Sequence, residues 1–150
     1  MTADLHSDAV GARPNVPIAE LPPLVCNAAD EVLYKNIRKT VERGTPILNA
    51  VEPHGGIAVL VGGGPSAADL IDELRQLSKV ATIFALNGSG HWLLRHEITF
   101  HALVILDARP HNVKFVTGIP RHVRLYLASQ CDEALFDAGN DHDIVTWHAP

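Results

Sequence analysis

Three glycines, a proline and a serine, Gly62, Gly63, Gly64, Pro65 and Ser66, stand between an aliphatic run at 57–61 and an amphipathic run that begins at Ala67. Backbone without a Cβ turns sharply and lets a ligand come closer than any other residue allows. Pro65 presets the helical φ in the first turn, where its missing N–H costs nothing. The free N–H groups of that turn, with the Ser66 hydroxyl beside them, favour an anion and most often a phosphate. The chemistry therefore begins with a phosphorylated ligand, a nucleotide.

Three further polar clusters each follow an apolar run: Asn87-Gly88-Ser89, then Asp107 to Pro110, then Ser129-Gln130-Cys131. Asn87 can hydrogen-bond a base or a ribose, or form an ordinary Asn-Gly turn. Asp107 offers hard oxygens suited to a magnesium ion that bridges phosphates, or it caps a turn. Arg109 can grip phosphate with two parallel bonds, or lie solvated. Ser129 and Gln130 reach the same ligand or cap the next helix, and His91 reads as a surface helix residue. A Walker loop is excluded, because no Gly-Lys-Ser/Thr ending follows the glycines. Gly62-x-Gly64-x-x-Ala67 fits the relaxed dinucleotide fingerprint, but the second strand ends in neutral Asn87 where that fingerprint wants an acid for the ribose. This counts against a nicotinamide dehydrogenase and an S-adenosylmethionine methyltransferase.

The elements that must position these residues alternate along the chain. Residues 1–26, with prolines at 14, 17, 22 and 23, read as a flexible arm. Asn27 is placed to cap a helix with acidic Asp30 and Glu31 in its first turn. Leu33, Ile37 and Val41 give that helix an apolar stripe, and Gly44 with Pro46 ends it. Strands are predicted at 57–61, 80–86, 101–106, 123–127 and 143–147. Helical stretches follow the glycine turn, Gly88 (to Arg95), Asp107 (near 111–116) and Cys131 (near 132–138). Continuous apolar strands alternating with helices specify an α/β fold, a Rossmann-like doubly wound and mostly parallel sheet of about five strands. In such sheets ligands bind beyond the carboxyl ends of the strands, where all four polar clusters lie.

With 150 residues, nearly half of them hydrophobic, the chain can form one globular domain over 27–150. A net charge of −5 without a basic run argues against nucleic acid or an anionic membrane as partner. No apolar stretch has the length of a membrane span, and no signal pattern opens the chain, so the expected location is cytoplasmic. Cys26 and Cys131 read as free thiols of a reducing compartment, and none of the nine histidines has zinc-ligand spacing.

The segments Val61 to Ser66, Ala85 to Gly90 with Trp92, and Ile105 to Pro110 together resemble the MptE-like family, the 6-hydroxymethyl-7,8-dihydropterin pyrophosphokinase group. The segments Ala128 to Cys131 and Val145 to His148 resemble its bacterial and phage branch. The resemblance runs from about 55 to 148. Ala67 departs from it, standing where the family usually has leucine. It implies a domain that binds ATP and moves diphosphate to a hydroxymethyl group on a small-molecule acceptor, with Mg2+ and release of AMP. Carried over, Gly62, Gly63, Gly64, Pro65 and Ser66 would cradle phosphates, with Asn87, Arg109 and Ser129 contacting the nucleotide. Asp107 would be the catalytic residue and metal ligand. The glycine turn is also similar to that of bacterial sialyltransferases and motility-associated glycosyltransferases, which implies a CMP-sugar as the alternative ligand and glycosyl transfer as the alternative reaction. A nucleotide-binding remnant without turnover is the third reading. Family members continue past the last strand with further strands. The expectation is therefore a domain incomplete at its C-terminus, with an apolar edge open to self-association.

Overall fold

The computed structural model describes residues 28–53 and 55–148. The expected arm at 1–26, Cys26, the Asn27 cap and His54 lie outside the described residues. Along the chain come α1 (Asp30–Arg43), β1 (Ala58–Val61), a 3-10 helix (Pro65–Leu70) leading into α2 (Ile71–Leu77), β2 (Thr82–Leu86) and α3 (Ser89–Arg95). They are followed by β3 (Ala102–Ile105), a second 3-10 helix (Pro110–Phe115), β4 (Arg124–Ala128), α4 (Glu133–Ala138) and β5 (Ile144–Trp147). No helix among the described residues is long and apolar enough to cross a membrane.

The sheet has five strands, all parallel, in the order β1-β2-β3-β4-β5, the α/β architecture that the alternating pattern specifies. Strand order is what the pattern did not carry: the sheet is α/β and parallel as expected, but its sequential order has no reversal point and so is not the doubly wound arrangement. Parallel crossovers are right-handed, so four crossovers that each step to the next neighbour all pass over the same face. Burial agrees. Ile83, Ala85, Leu103, Ile105, Leu125 and Leu127 point to that face and are fully buried with Leu93, Leu135 and Phe136. On the other face Phe84, Leu86, Val104 and Tyr126 are only half-buried, and Leu60 remains 67% exposed. Beyond β5, Ile47 adds a parallel bridge to Thr146, whose N–H donates to Pro46 (2.7 Å) and whose carbonyl accepts from Leu48 (2.7 Å). The outer edge of β1 pairs with no strand among the described residues.

The first helix packs on a different face from the one its apolar stripe suggested. Its buried residues are Asn36 and Thr40, while Val41 is 66% exposed and Leu33 and Ile37 are half-buried. The reason lies in what the helix covers. Asn36 Nδ2 donates to the carbonyls of Ala108 (3.2 Å) and Gln130 (3.0 Å), and Thr40 Oγ1 donates to the carbonyl of Ser129 (2.9 Å). These carbonyls lie just past β3 and β4, where the ladder stops and the backbone still needs donors. Polar residues must therefore face inward along this part of α1. Arg43 reinforces the contact by pairing with Asp137 (2.6 Å) and lying over the Phe136 ring (5.5 Å). The N-terminal cap is Ala29, whose carbonyl accepts from Val32 and Leu33 with no side-chain cap. Gly44 closes the helix in the left-handed conformation, φ 68°, as its position predicts.

Removing one donor from under α1 tests this arrangement. Asn36→Ala leaves two loop carbonyls without a partner and is expected to cost about 2 kcal/mol in urea unfolding. Val41→Ala, on the exposed side, is expected to change stability by less than about 0.5 kcal/mol. The reverse ranking would show that the apolar stripe holds the helix.

Candidate functional site

The glycine turn leaves β1 at its carboxyl end, and none of its glycines needs to be glycine for the fold. A Cβ built on Gly62 or Gly63 meets nothing within 4 Å, and one on Gly64 meets only the Ser66 hydroxyl at 3.9 Å. None of the three has a positive φ; among described glycines that belongs to Gly44 and Gly118. The turn therefore does not use glycine for its conformation, contrary to the expectation of a glycine-dependent bend. The space where three side chains would stand is open to something outside the chain.

The donors are equally open. Among the described residues the N–H groups of Gly62, Gly63, Gly64 and Ser66 reach no protein acceptor, and the first bond of the following helix runs from Ala67 N–H to the Gly64 carbonyl (3.2 Å). The helix starts as a 3-10 segment with Pro65 in its first turn, and its α-helical part is only seven residues long. Any pull on an anion thus comes mainly from the successive N–H groups rather than from a long helix dipole.

A cavity of about 410 Å³ lies between this turn and the start of α3, lined by Gly62, Gly63, Gly64, Pro65, Gly88, Ser89 and Trp92 among others. Gly88 is more tightly placed, because a Cβ there would stand 3.1 Å from the Phe115 ring, which would have to yield by a few tenths of an ångström. Asn87 holds the bend before α3 at φ 51°, its N–H donating to Val104 (3.1 Å) and its side chain exposed. Ser89 is buried, and its hydroxyl accepts from Leu86 N–H (2.8 Å) and donates to the Val61 carbonyl (2.6 Å). On the other side of the turn, Leu60, Leu70, Leu74 and Leu77 line a second groove of about 430 Å³ along β1 and α2. Sequence reasoning placed Ser89 only in a turn and gave Trp92 no role. An aromatic residue one helical turn beyond a glycine bend was the available signal for Trp92.

The remaining expected residues lie apart from this cavity. Asp107, past β3, is gripped by Arg109, whose Nε donates to both carboxylate oxygens (2.9 Å each) and whose Nη2 also pairs with it. Arg109 N–H adds a bond of 3.0 Å. That pairing, above all the guanidinium hydrogen bonds, pulls the Asp107 carboxyl from its ordinary 3.8 down to about 2. Ser129 is buried beneath α1, its carbonyl taken by Thr40 and its N–H by the Trp147 carbonyl (2.8 Å). The cap of α4 is Asp132, which accepts from Ala134 N–H, rather than Ser129 or Gln130. Cys131 is buried with its thiol donating to Ile105 (3.4 Å), and burial pushes it up to about 12, so it is no nucleophile. His91, on α3, hydrogen-bonds the Thr117 carbonyl through Nε2 (2.9 Å). Among the described residues no three His, Cys, Asp or Glu side chains group as metal ligands. Asp107 could take a metal only by exchanging Arg109 for it.

The Asp107 shift has a pH signature. A carboxyl with a lower pKa in the folded chain stabilises it above the ordinary value and loses that contribution as the pH falls from about 4 to about 2. Asp107→Asn is expected to flatten the stability profile across that window in urea titrations at fixed pH. An unchanged acid limb would mean that the Asp107–Arg109 pair does not persist in solution.

No curated protein matches the chain significantly. Among solved structures it is similar to the MAf glycosyltransferase from Magnetospirillum magneticum AMB-1, with a TM-score of 0.62 and 17% sequence identity. That likeness covers 79% of this chain but only 20% of the other, so it speaks for the fold. A family model spans residues 31–148, from α1 through all five strands and every polar cluster described above. The chain belongs to the family described as 6-hydroxymethylpterin diphosphokinase MptE-like.

Proposed function

We propose that this chain is the nucleotide-binding domain of a diphosphokinase-like transferase, which takes ATP and passes its diphosphate to a hydroxymethyl group on a small acceptor. One observation carries the reading: four successive unengaged N–H donors at a glycine run whose missing side chains the fold does not require. That arrangement suits the closely spaced oxygens of a polyphosphate. Transfer of this kind asks a protein for positioning and charge neutralisation more than for covalent chemistry. The turn and the cavity beside Trp92 can supply the positioning. Asn87, exposed and next in sequence to the lining Gly88, would contact the sugar or base.

Magnesium fits the reading only as a companion of the nucleotide. The ion keeps most of its ligands as water and phosphate, and Asp107, the carboxylate expected to hold it, is already paired with Arg109. No step is routed through a protein-held metal. Arg109 instead keeps a cation at the strand end next to the turn's neighbour, where it can exchange Asp107 for a phosphate oxygen.

The second reading, a domain for a CMP-sugar and glycosyl transfer, draws on the structural likeness to a glycosyltransferase. Both readings share the phosphate cradle and differ in base and acceptor.

Calorimetric titration of ATP, CMP, CTP, NAD and S-adenosylmethionine, with and without magnesium, separates them. ATP is expected to bind the wild type and to lose at least tenfold in affinity, about 1.4 kcal/mol, in Gly63→Val. Thermal stability should stay close to wild type, because a Cβ at Gly63 meets open space. Binding of CMP or CTP alone would move the assignment to glycosyl transfer. Silence from every ligand would contradict both.

A further inference from the structure

We infer that Trp92 is the platform on which the nucleobase of the ligand stacks, so that one cavity holds both the phosphates and the base. The inference rests on the reading of the glycine turn as a phosphate cradle. The cavity between that turn and α3 has nine lining residues, of which eight are glycine, alanine, proline or serine and the ninth is Trp92. Backbone and small side chains thus form most of its wall, and one indole forms the rest. Its volume of about 410 Å³ falls within the range of small-molecule sites, about 300–1,000 Å³. An anion held by the turn would therefore have a single aromatic surface beside it. A nucleotide is the phosphorylated ligand that carries a flat ring to match.

The helix explains why this ring is available. A helical side chain leans over the turn before its own Cα, which for Trp92 holds Gly88 and Ser89. Gly88 has no side chain, and the Ser89 hydroxyl is turned inward to Leu86 N–H (2.8 Å) and the Val61 carbonyl (2.6 Å). One turn further on, the His96 ring backs the indole, with centroids 4.5 Å apart and planes tilted by 49°. Trp92 also borders the hydrophobic core. The indole is held by its neighbours on those sides and meets the glycine-lined space on the other. Rings prefer offset or tilted stacking to a face-to-face sandwich, and every base has a π-face that an aromatic side chain can accept. The platform therefore serves an ATP or a CMP-sugar alike, with the larger purine stacking more strongly.

Affinities for Mg-ATP and for inorganic diphosphate, compared in wild type, Trp92→Leu and Trp92→Phe, test the inference. Trp92→Leu is expected to lose about fivefold or more for Mg-ATP, the low end of what a base–aromatic stack contributes, and less than about twofold for diphosphate, which has no base. Trp92→Phe keeps a ring and should recover most of the loss. The chain has two tryptophans, so Trp147→Phe leaves Trp92 as the sole indole. Its fluorescence should be quenched on saturation with Mg-ATP and not with diphosphate. Equal losses for both ligands in Trp92→Leu would overturn the inference and mark the indole as a support of the turn. Undiminished affinity for Mg-ATP, a Phe variant as weak as the Leu variant, or unmoved fluorescence in the Mg-ATP complex would overturn it too. In each of these cases diphosphate binding by the wild type leaves the phosphate cradle standing. If the wild type binds neither ligand, the cradle falls and the stacking falls with it.

Discussion

Where parallel strands end, their backbone groups stop being paired, and the rest of this protein depends on what answers them. A buried carbonyl or N–H left alone costs as much as a lost hydrogen bond. At β3 and β4 the answer is supplied by α1, which turns Asn36 and Thr40 toward three loop carbonyls. At the ends of β1 and β2 a serine hydroxyl adds to the ladder by bridging Leu86 N–H and the Val61 carbonyl, and beyond it, among the described residues, no protein acceptor takes the N–H groups of the glycine turn. One edge of one sheet is thus divided in two. One part is closed over by the protein, and the other presents donors to solvent or a ligand.

This division explains why four polar clusters that look equivalent along the chain are not equivalent in space. Each follows a strand, and a rule that places ligands at strand ends treats them alike. The structure gathers Gly62 to Pro65 with Gly88 and Ser89 around one cavity. It ties Asp107 to Arg109 and places Ser129 under a helix. A carboxylate already matched by a guanidinium is a poor first choice for a metal, and a serine whose backbone groups are all engaged has little to offer a phosphate. The glycine turn and the charges expected beside it are neighbours in the sheet, with the Asp107–Arg109 pair one strand beyond β2.

Most of the fold was legible because continuous aliphatic runs can only be buried strands when glycine, proline and asparagine punctuate them so regularly. Strands predicted at 57–61, 101–106 and 143–147 appear as Ala58–Val61, Ala102–Ile105 and Ile144–Trp147. The packed face of α1 was not legible. Helical periodicity finds apolar stripes, and this helix buries amide and hydroxyl groups because it lies on carbonyls. Strand order was not legible either, since nothing in a strand's composition names its neighbour. The hydroxyl bridge of Ser89 depends on which way Leu86 turns its N–H, and that follows from register alone. The glycines drew notice as a turn that needs glycine to bend, whereas none of the three has a positive φ and the space beside them is open.

If the glycine turn receives phosphates, the unengaged amides of Gly62, Gly63, Gly64 and Ser66 must contact them. Mapping backbone amide shifts by NMR during a titration with Mg-ATP asks this of each N–H separately. The largest shifts are expected at Gly62, Gly63, Gly64 and Ser66, smaller ones from Asn87 to Trp92, and little movement at Ser129, which lies under α1. Saturable shifts centred on the groove between β1 and α2, or on Asp107 to Pro110, with the glycine amides unmoved, would contradict it.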